Sequence, residues 1–187
     1  QNPVDFSKFD LSGTTRFFGT FHNSSVLEHV SNCPDWDMSY CYRVGDPFYQ
    51  AKVNSYMCDK ISNLNINIVT GATNFHPLDD PYTPLQDYVD QNAQVNRIFM
   101  GGTYAGDLDL TGWVLSGGNS MSNMNQMFDN VNVTGDIDIS TWDLGEYSNC
   151  SNFFQRATAN SIIIEPTPDF RNVTNSTSAC ANNVSKS

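Results

Sequence analysis

Gly106-Asp-Leu-Asp-Leu-Thr-Gly-Trp113 returns 29 residues later as Gly135-Asp-Ile-Asp-Ile-Ser-Thr-Trp142. Within each copy, apolar and polar residues alternate with the period of two that marks a strand with one buried face. Leu108, Leu110, Ile137 and Ile139 are therefore expected inside, and Asp107, Asp109, Asp136 and Asp138 outside. A slip of one residue would bury four carboxylates, so the register is strongly specified.

The same phase extends along the chain. Phe9 precedes Phe21, Trp36 precedes Phe48 and Trp142 precedes Phe154, each by 12 residues, while Trp113 precedes Phe128 by 15. Phe9 and Trp36 are 27 apart, so the period is 27–29 residues, within the range of stacked repeat architectures. The expected fold is a repeat solenoid forming a single domain over 1–187. Its units are 4–30, 31–60, 64–105 with an insertion, 106–134 and 135–187, each carrying one short parallel strand and an irregular or short helical connection. Trp36, Trp113, Trp142, Phe21, Phe48, Phe128 and Phe154 are the expected core, because they recur at fixed phase. The middle departs from the pattern: Asn65-Ile-Asn-Ile aligns with Asp136-Ile-Asp-Ile, but Gly71 stands in the tryptophan position. A proline-rich excursion from His76 to Pro84 follows, and then Leu85 to Val95, which suits a short helix.

Asn119-Ser-Met-Ser-Asn-Met-Asn-Gln-Met-Phe128, Gly135-Asp-Ile-Asp-Ile-Ser-Thr-Trp-Asp143 and Phe170-Arg-Asn-Val-Thr174 together resemble a surface-protein repeat written roughly W-D-x-S-x-V-x-x-M-x-x-M-F. That repeat occurs in mycoplasma-type surface lipoproteins and in BspA-like leucine-rich-repeat proteins. The resemblance is good over 106–157, fair over 4–50 and weak over 60–105. It implies a leucine-rich-repeat-like solenoid displayed outside a cell or particle for adhesion, recognition or assembly, and it implies no catalytic residues.

Composition narrows the partners. Against 20 acidic residues stand 9 basic ones, for a net charge of −11, and no run of Lys or Arg offers a footprint for nucleic acid or an anionic bilayer. No apolar stretch is long enough to span a membrane. Gln1 is not a translational start, so sequence upstream is expected, a cleaved export signal being the simplest candidate and a trimmed chain the rival. Cys33, Cys41, Cys58, Cys150 and Cys180 lack C-x-x-C spacing, which points to structural disulfides in an oxidising compartment, with their odd number leaving one over. Acceptor triplets for N-glycosylation begin at Asn23, Asn132, Asn149, Asn172, Asn175 and Asn183.

Catalytic signatures are sparse. His22, His29 and His76 fall in no metal-binding or catalytic spacing, and Ser120 lacks the glycine pattern of a nucleophile elbow. Asp107, Asp109, Asp136 and Asp138 would form a two-by-two cluster across strands about 4.8 Å apart, an arrangement that either relies on water to screen it or recruits calcium. A pair of carboxylates also serves glycosidases, but an exposed strand face provides no cleft to desolvate an acid. No other cofactor is expected, and the chain is not read as an enzyme. The expected function is a secreted structural protein that assembles with itself into a filament or surface coat. The alternatives are an adhesin-like module recognising glycan or protein through its sheet face, and a decoration protein of a viral particle.

Overall fold

The computed structural model describes residues 3–14, 16–38, 43–64, 67–69, 97–116, 125–142 and 150–164. In chain order its strands are β1 (Val4–Asp5), β2 (Arg16–Phe18), β3 (Val30–Asn32), β4 (Arg43–Gly45), β5 (Lys52–Val53), β6 (Asn67–Val69), β7 (Thr103–Tyr104), β8 (Leu108–Asp109), β9 (Val114–Ser116), β10 (Asn132–Val133), β11 (Ile137–Asp138) and β12 (Ile162–Ile163). One helix, α1 (Ser55–Ser62), lies between β5 and β6. Every strand pairing among the described residues is parallel. The small sheets run β1-β3, β2-β4, β6-β9, β5-β7-β10 and β8-β11-β12.

In the last of these, Leu108 lies opposite Ile137 and Asp109 opposite Asp138, the partners that the 29-residue offset sets against each other. Two features differ from the sequence expectation. A unit contains more than one strand: 106–134 holds β8, β9 and β10, each in a different sheet. The span 135–187 holds both β11 and β12, with Ile137 opposite Ile162, so the pattern closes there after 25 residues. β9 and β10 are only two or three residues long and, unlike β8 and β11, lie outside the two matching stretches, so the sequence does not reveal them. Gly71, the excursion from His76 to Pro84 and the segment from Leu85 to Val95 lie outside the described residues.

The unit-to-unit contact is clearest at the turns. Each turn places a phenylalanine between two residues of positive φ, four positions apart: Gly19 and Asn23 around Phe21, Asp46 and Gln50 around Phe48, Arg97 and Gly101 around Phe99, Gln126 and Asn130 around Phe128, Asn152 and Arg156 around Phe154. A left-handed conformation costs about 1–2 kcal/mol for most residues, less for Asn and nothing for Gly. Hydrogen bonds to the following turn offset that cost: Phe21 N–H donates to Pro47 O at 2.8 Å, Phe99 N–H to Met127 O at 3.0 Å and Phe128 N–H to Phe153 O at 2.9 Å. The same rings stack in a column, Phe21 on Phe48 at 6.0 Å between centroids, Phe48 on Phe99 at 6.0 Å, Phe99 on Phe128 at 5.1 Å and Phe128 on Phe154 at 5.1 Å.

Helix α1 packs between β3 and β8, where another strand would continue the sheet. A helix has no free backbone groups along its length to pair with a strand edge, so side chains substitute. Asn54 caps the helix by accepting from Met57 N–H at 2.9 Å, and its amide donates to Glu28 O and Val30 O. The Tyr56 hydroxyl accepts from Cys33 N–H at 2.9 Å and donates to Cys33 O at 3.0 Å. On the other side, the Ser62 hydroxyl accepts from Asp109 N–H, and Ile61 O accepts from the Trp113 indole. Met57, Cys58 and Ile61 form the buried stripe of the helix.

Trp36, Trp113, Trp142, Phe21, Phe48 and Phe128 are buried. Phe154, expected with them, is only partly buried: it is the last ring of the described column, and its neighbour Phe153 takes the buried position. The Trp142 indole donates to Leu110 O at 2.9 Å, so it joins two successive units by burial and by a hydrogen bond. Asp129, 1% exposed, is held by a two-pronged contact from Arg156 of the next turn at 3.0 and 3.1 Å. Where the chain turns into β8 and β11 the units come close enough to demand glycine. A Cβ at Gly135 would sit 2.7 Å from Asp107 N and 2.8 Å from Gly106 C.

Core truncation at Trp142 should therefore be costly. Trp142→Ala is expected to lower unfolding free energy by about 3–5 kcal/mol, whereas Phe154→Ala costs clearly less, as read by urea denaturation. Equal losses at the two positions would contradict the placement of Phe154 at the rim of the column.

Candidate functional site

Sequence alternation brought four carboxylates forward, and each has a structural partner. Asp109 Oδ1 accepts from Thr111 N–H at 3.1 Å and its hydroxyl at 2.6 Å, and Asp138 Oδ1 accepts from Ser140 N–H at 2.9 Å. Asp5 with Ser7 and Asp10 with Ser12 repeat the arrangement. An Asp accepting from the backbone two residues on is the device that closes an Asx turn, so these acids bend the chain out of its strand. Asp107 Oδ1 accepts from Asp136 N–H at 2.9 Å, and Asp136 Oδ1 accepts from Ser161 Oγ at 2.7 Å. Asp107 and Asp109 are exposed, while Asp136 and Asp138 are half-buried. Among the described residues no group of three or more His, Cys, Asp or Glu side chains is arranged to hold a metal ion, so the calcium expectation gains no converging ligand set.

What the alternation did not reveal is a groove of about 600 Å³ between the C-terminal half of α1 and the edge of β8. Asp59, Ser62 and Asn63 form its helical wall, and Asp107, Asp109 and Gly112 the opposite one. It exists because the helix takes the place of a strand. Its helical half was readable in principle from Asn54 as a cap, followed by Met57, Cys58 and Ile61 at helical spacing. Lys60, on the same helix, is drawn away to Asp35 at 2.6 Å.

The remaining candidates are scattered. His22 Nδ1 lies 3.6 Å from Asp46 Oδ2 and its ring packs on Tyr49, while His29 is half-buried; His76 and Ser120 lie outside the described residues. Asn23 and Asn132 are exposed, as a glycan would require; Asn149, Asn172, Asn175 and Asn183 fall outside the described residues. Cys41 and Cys180 do so too, and Cys150 is buried. Cys33 and Cys58 depart from the disulfide expectation: both are buried free thiols, Cys58 in the apolar stripe of α1 and Cys33 beside Tyr56. Burial pushes the Cys33 thiol up, pushes Cys58 up to about 12, and raises the Tyr104 phenol well above its usual range.

A raised thiol pKa means that the unfolded chain releases a proton the folded chain keeps. From pH 9.0, the ordinary value, up to about 12, Cys58 therefore makes folding progressively less favourable. Urea stability should fall as pH rises through this window, and Cys58→Ala should flatten the fall. Iodoacetamide at pH 8 should label Cys58 only after denaturation. For the four carboxylates, chelator is expected to leave the melting temperature unchanged; a drop would return them to calcium.

Neither curated proteins nor solved structures gave a match. A family model does match, over residues 84–186, which takes in β7 to β12 and the carboxylate pairs but not α1. The match covers more than half of the chain, and the chain belongs to the family described as Mycoplasma protein of unknown function, DUF285.

Proposed function

We propose that this chain is a structural protein displayed outside the cell, a leucine-rich-repeat-like solenoid whose units stack on those of further copies into a homomeric filament or coat. The observation that carries this reading is the recurrence of the unit-to-unit contact: among the described residues, parallel backbone pairing and a column of rings repeat from one unit to the next. Such contacts work as well between chains as within one. Among the described residues β1 is paired only with β3, and the half-buried Phe6 and Phe9 follow it. Correspondingly, β12 is paired only with β11, with Ile162 half-buried and Ile163 40% exposed. Joining one end to the other is a head-to-tail contact, which propagates. Resemblance to surface-protein repeats supports a place outside the cell, and the reading assigns no catalysis.

Sedimentation at micromolar concentration and physiological ionic strength tests it. Species larger than the monomer are expected, increasing with salt as the charge of −11 is screened, and Ile163→Lys should dissolve them. A single sharp monomer peak would overturn the assembly reading. A second reading, an adhesin-like binding module, is favoured by one observation, the polar groove between α1 and β8.

A further inference from the structure

The turns bond differently from the strands. Alternate N–H groups close within the turn: His22 donates to Gly19 O and Ser24 to Phe21 O, Asp129 to Gln126 O and Val131 to Phe128 O, Gln155 to Asn152 O and Ala157 to Phe154 O. The N–H groups between them all face the following turn. Phe99 donates to Met127 O at 3.0 Å and Gly101 to Asp129 O at 2.9 Å; Phe128 then donates to Phe153 O at 2.9 Å and Asn130 to Gln155 O at 2.7 Å. Strand pairings contain both senses, since Thr103 donates back to Ala51 O while Leu108 donates forward to Asp136 O. The column of turns is therefore polar, with carbonyl oxygens toward its N-terminal end and aligned N–H groups toward its C-terminal end.

Its two described ends are complementary. In the first turn Thr20 O and His22 O, the counterparts of Met127 O and Asp129 O, accept from no backbone N–H among the described residues. In the last described turn Phe154 and Arg156, the counterparts of Phe128 and Asn130, donate their N–H to no backbone carbonyl among them. Thr20, His22 and Arg156 are exposed and Phe154 is half-buried, so water reaches both ends. Exposed apolar side chains mark the same ends: Phe18, 44% exposed, leads into the first turn, and Ile163, 40% exposed, follows the last described one.

We propose that the first turn of one copy is the docking site for the last described turn of another, with Phe154 N–H donating to Thr20 O and Arg156 N–H to His22 O. The inference rests on the assembly reading and adds to it a defined contact and a direction. A second copy fits because its turn has the same alternation of left-handed residues, Asn152 and Arg156 matching Gly19 and Asn23, which aligns the N–H groups on one side. A strand edge offers N–H and C=O groups by turns and would set carbonyl against carbonyl. Like ends repel for the same reason, so the contact is head to tail and continues from copy to copy. His22 and Gln155 hold the same position in their turns, the row in which the His22 and Tyr49 rings lie 4.6 Å apart. Docking sets His22 of one copy beside Gln155 of another at about 4.8 Å, a Cα separation that a disulfide spans.

The test places His22→Cys and Gln155→Cys in one chain, adds a mild oxidant at physiological ionic strength and reads non-reducing electrophoresis. A ladder of dimers, trimers and larger species is expected, collapsing to monomer in reductant. Mixing the two single variants should stop at the dimer. Neither single variant alone should exceed the unmodified chain, which sets the background from the native cysteines. His22→Cys with Thr134→Cys, at an exposed residue of an internal unit, should also stay at background. Dimers from one single variant alone would show like ends meeting and overturn the polarity. A double variant no more cross-linked than the Thr134 control would overturn the turn contact. Sedimentation of the unmodified chain then separates the two readings: large species would leave assembly through another surface, whereas monomer would remove both. Thermal melts of each variant establish that the fold is retained.

Discussion

Parallel backbone hydrogen bonding holds successive strands about 4.8 Å apart, and at that separation each residue faces its own counterpart in the next unit. Almost everything else follows. Aromatic rings come over aromatic rings, as in the column from Phe21 to Phe154. Carboxylates come over carboxylates, and one oxygen of each is engaged in a turn or a neighbouring hydrogen bond. A side chain at Gly135 would collide with the backbone of the unit before it.

What this spacing repeats is also what a reader of the sequence can see. The register of β8 against β11 follows from the two matching stretches, and the inward Leu108 and Ile137 follow from alternation. Phe99 is set in the same column as Phe128 and was equally available, since Ile98-Phe-Met-Gly101 and Met127-Phe-Asp-Asn130 lie 29 residues apart. The irregular stretch before it hid the phase. Strands such as β5, β7 and β10 left no trace: β8 and β11 are as short, but they sit inside two matching stretches, and these do not. The buried Asp129 is invisible for a different reason: what keeps a carboxylate inside is Arg156, a partner from another turn.

Helix α1 shows how a repeat absorbs a foreign element. A strand neighbour would have satisfied β3 and β8 through backbone groups. Asn54, Tyr56 and Ser62 do so through side chains, which is why a polar residue at each of those positions has a structural purpose as well as a helical one. The groove is the incomplete part of this substitution. Its candidate role therefore comes from a local failure of the repeat, and its helical wall lies outside the span that matches the family model.

The helix also has a mechanical effect. With its side chains it is about 10 Å across, roughly twice the width of the strand it replaces. On its side it forces β3 and β8 apart, while β5 and β7 on another side remain in direct hydrogen-bonded contact. Unequal spacing on two sides of one stack is a wedge. At this level the described units are therefore spaced unevenly, by a helix between β3 and β8 and by a single strand separation between β5 and β7.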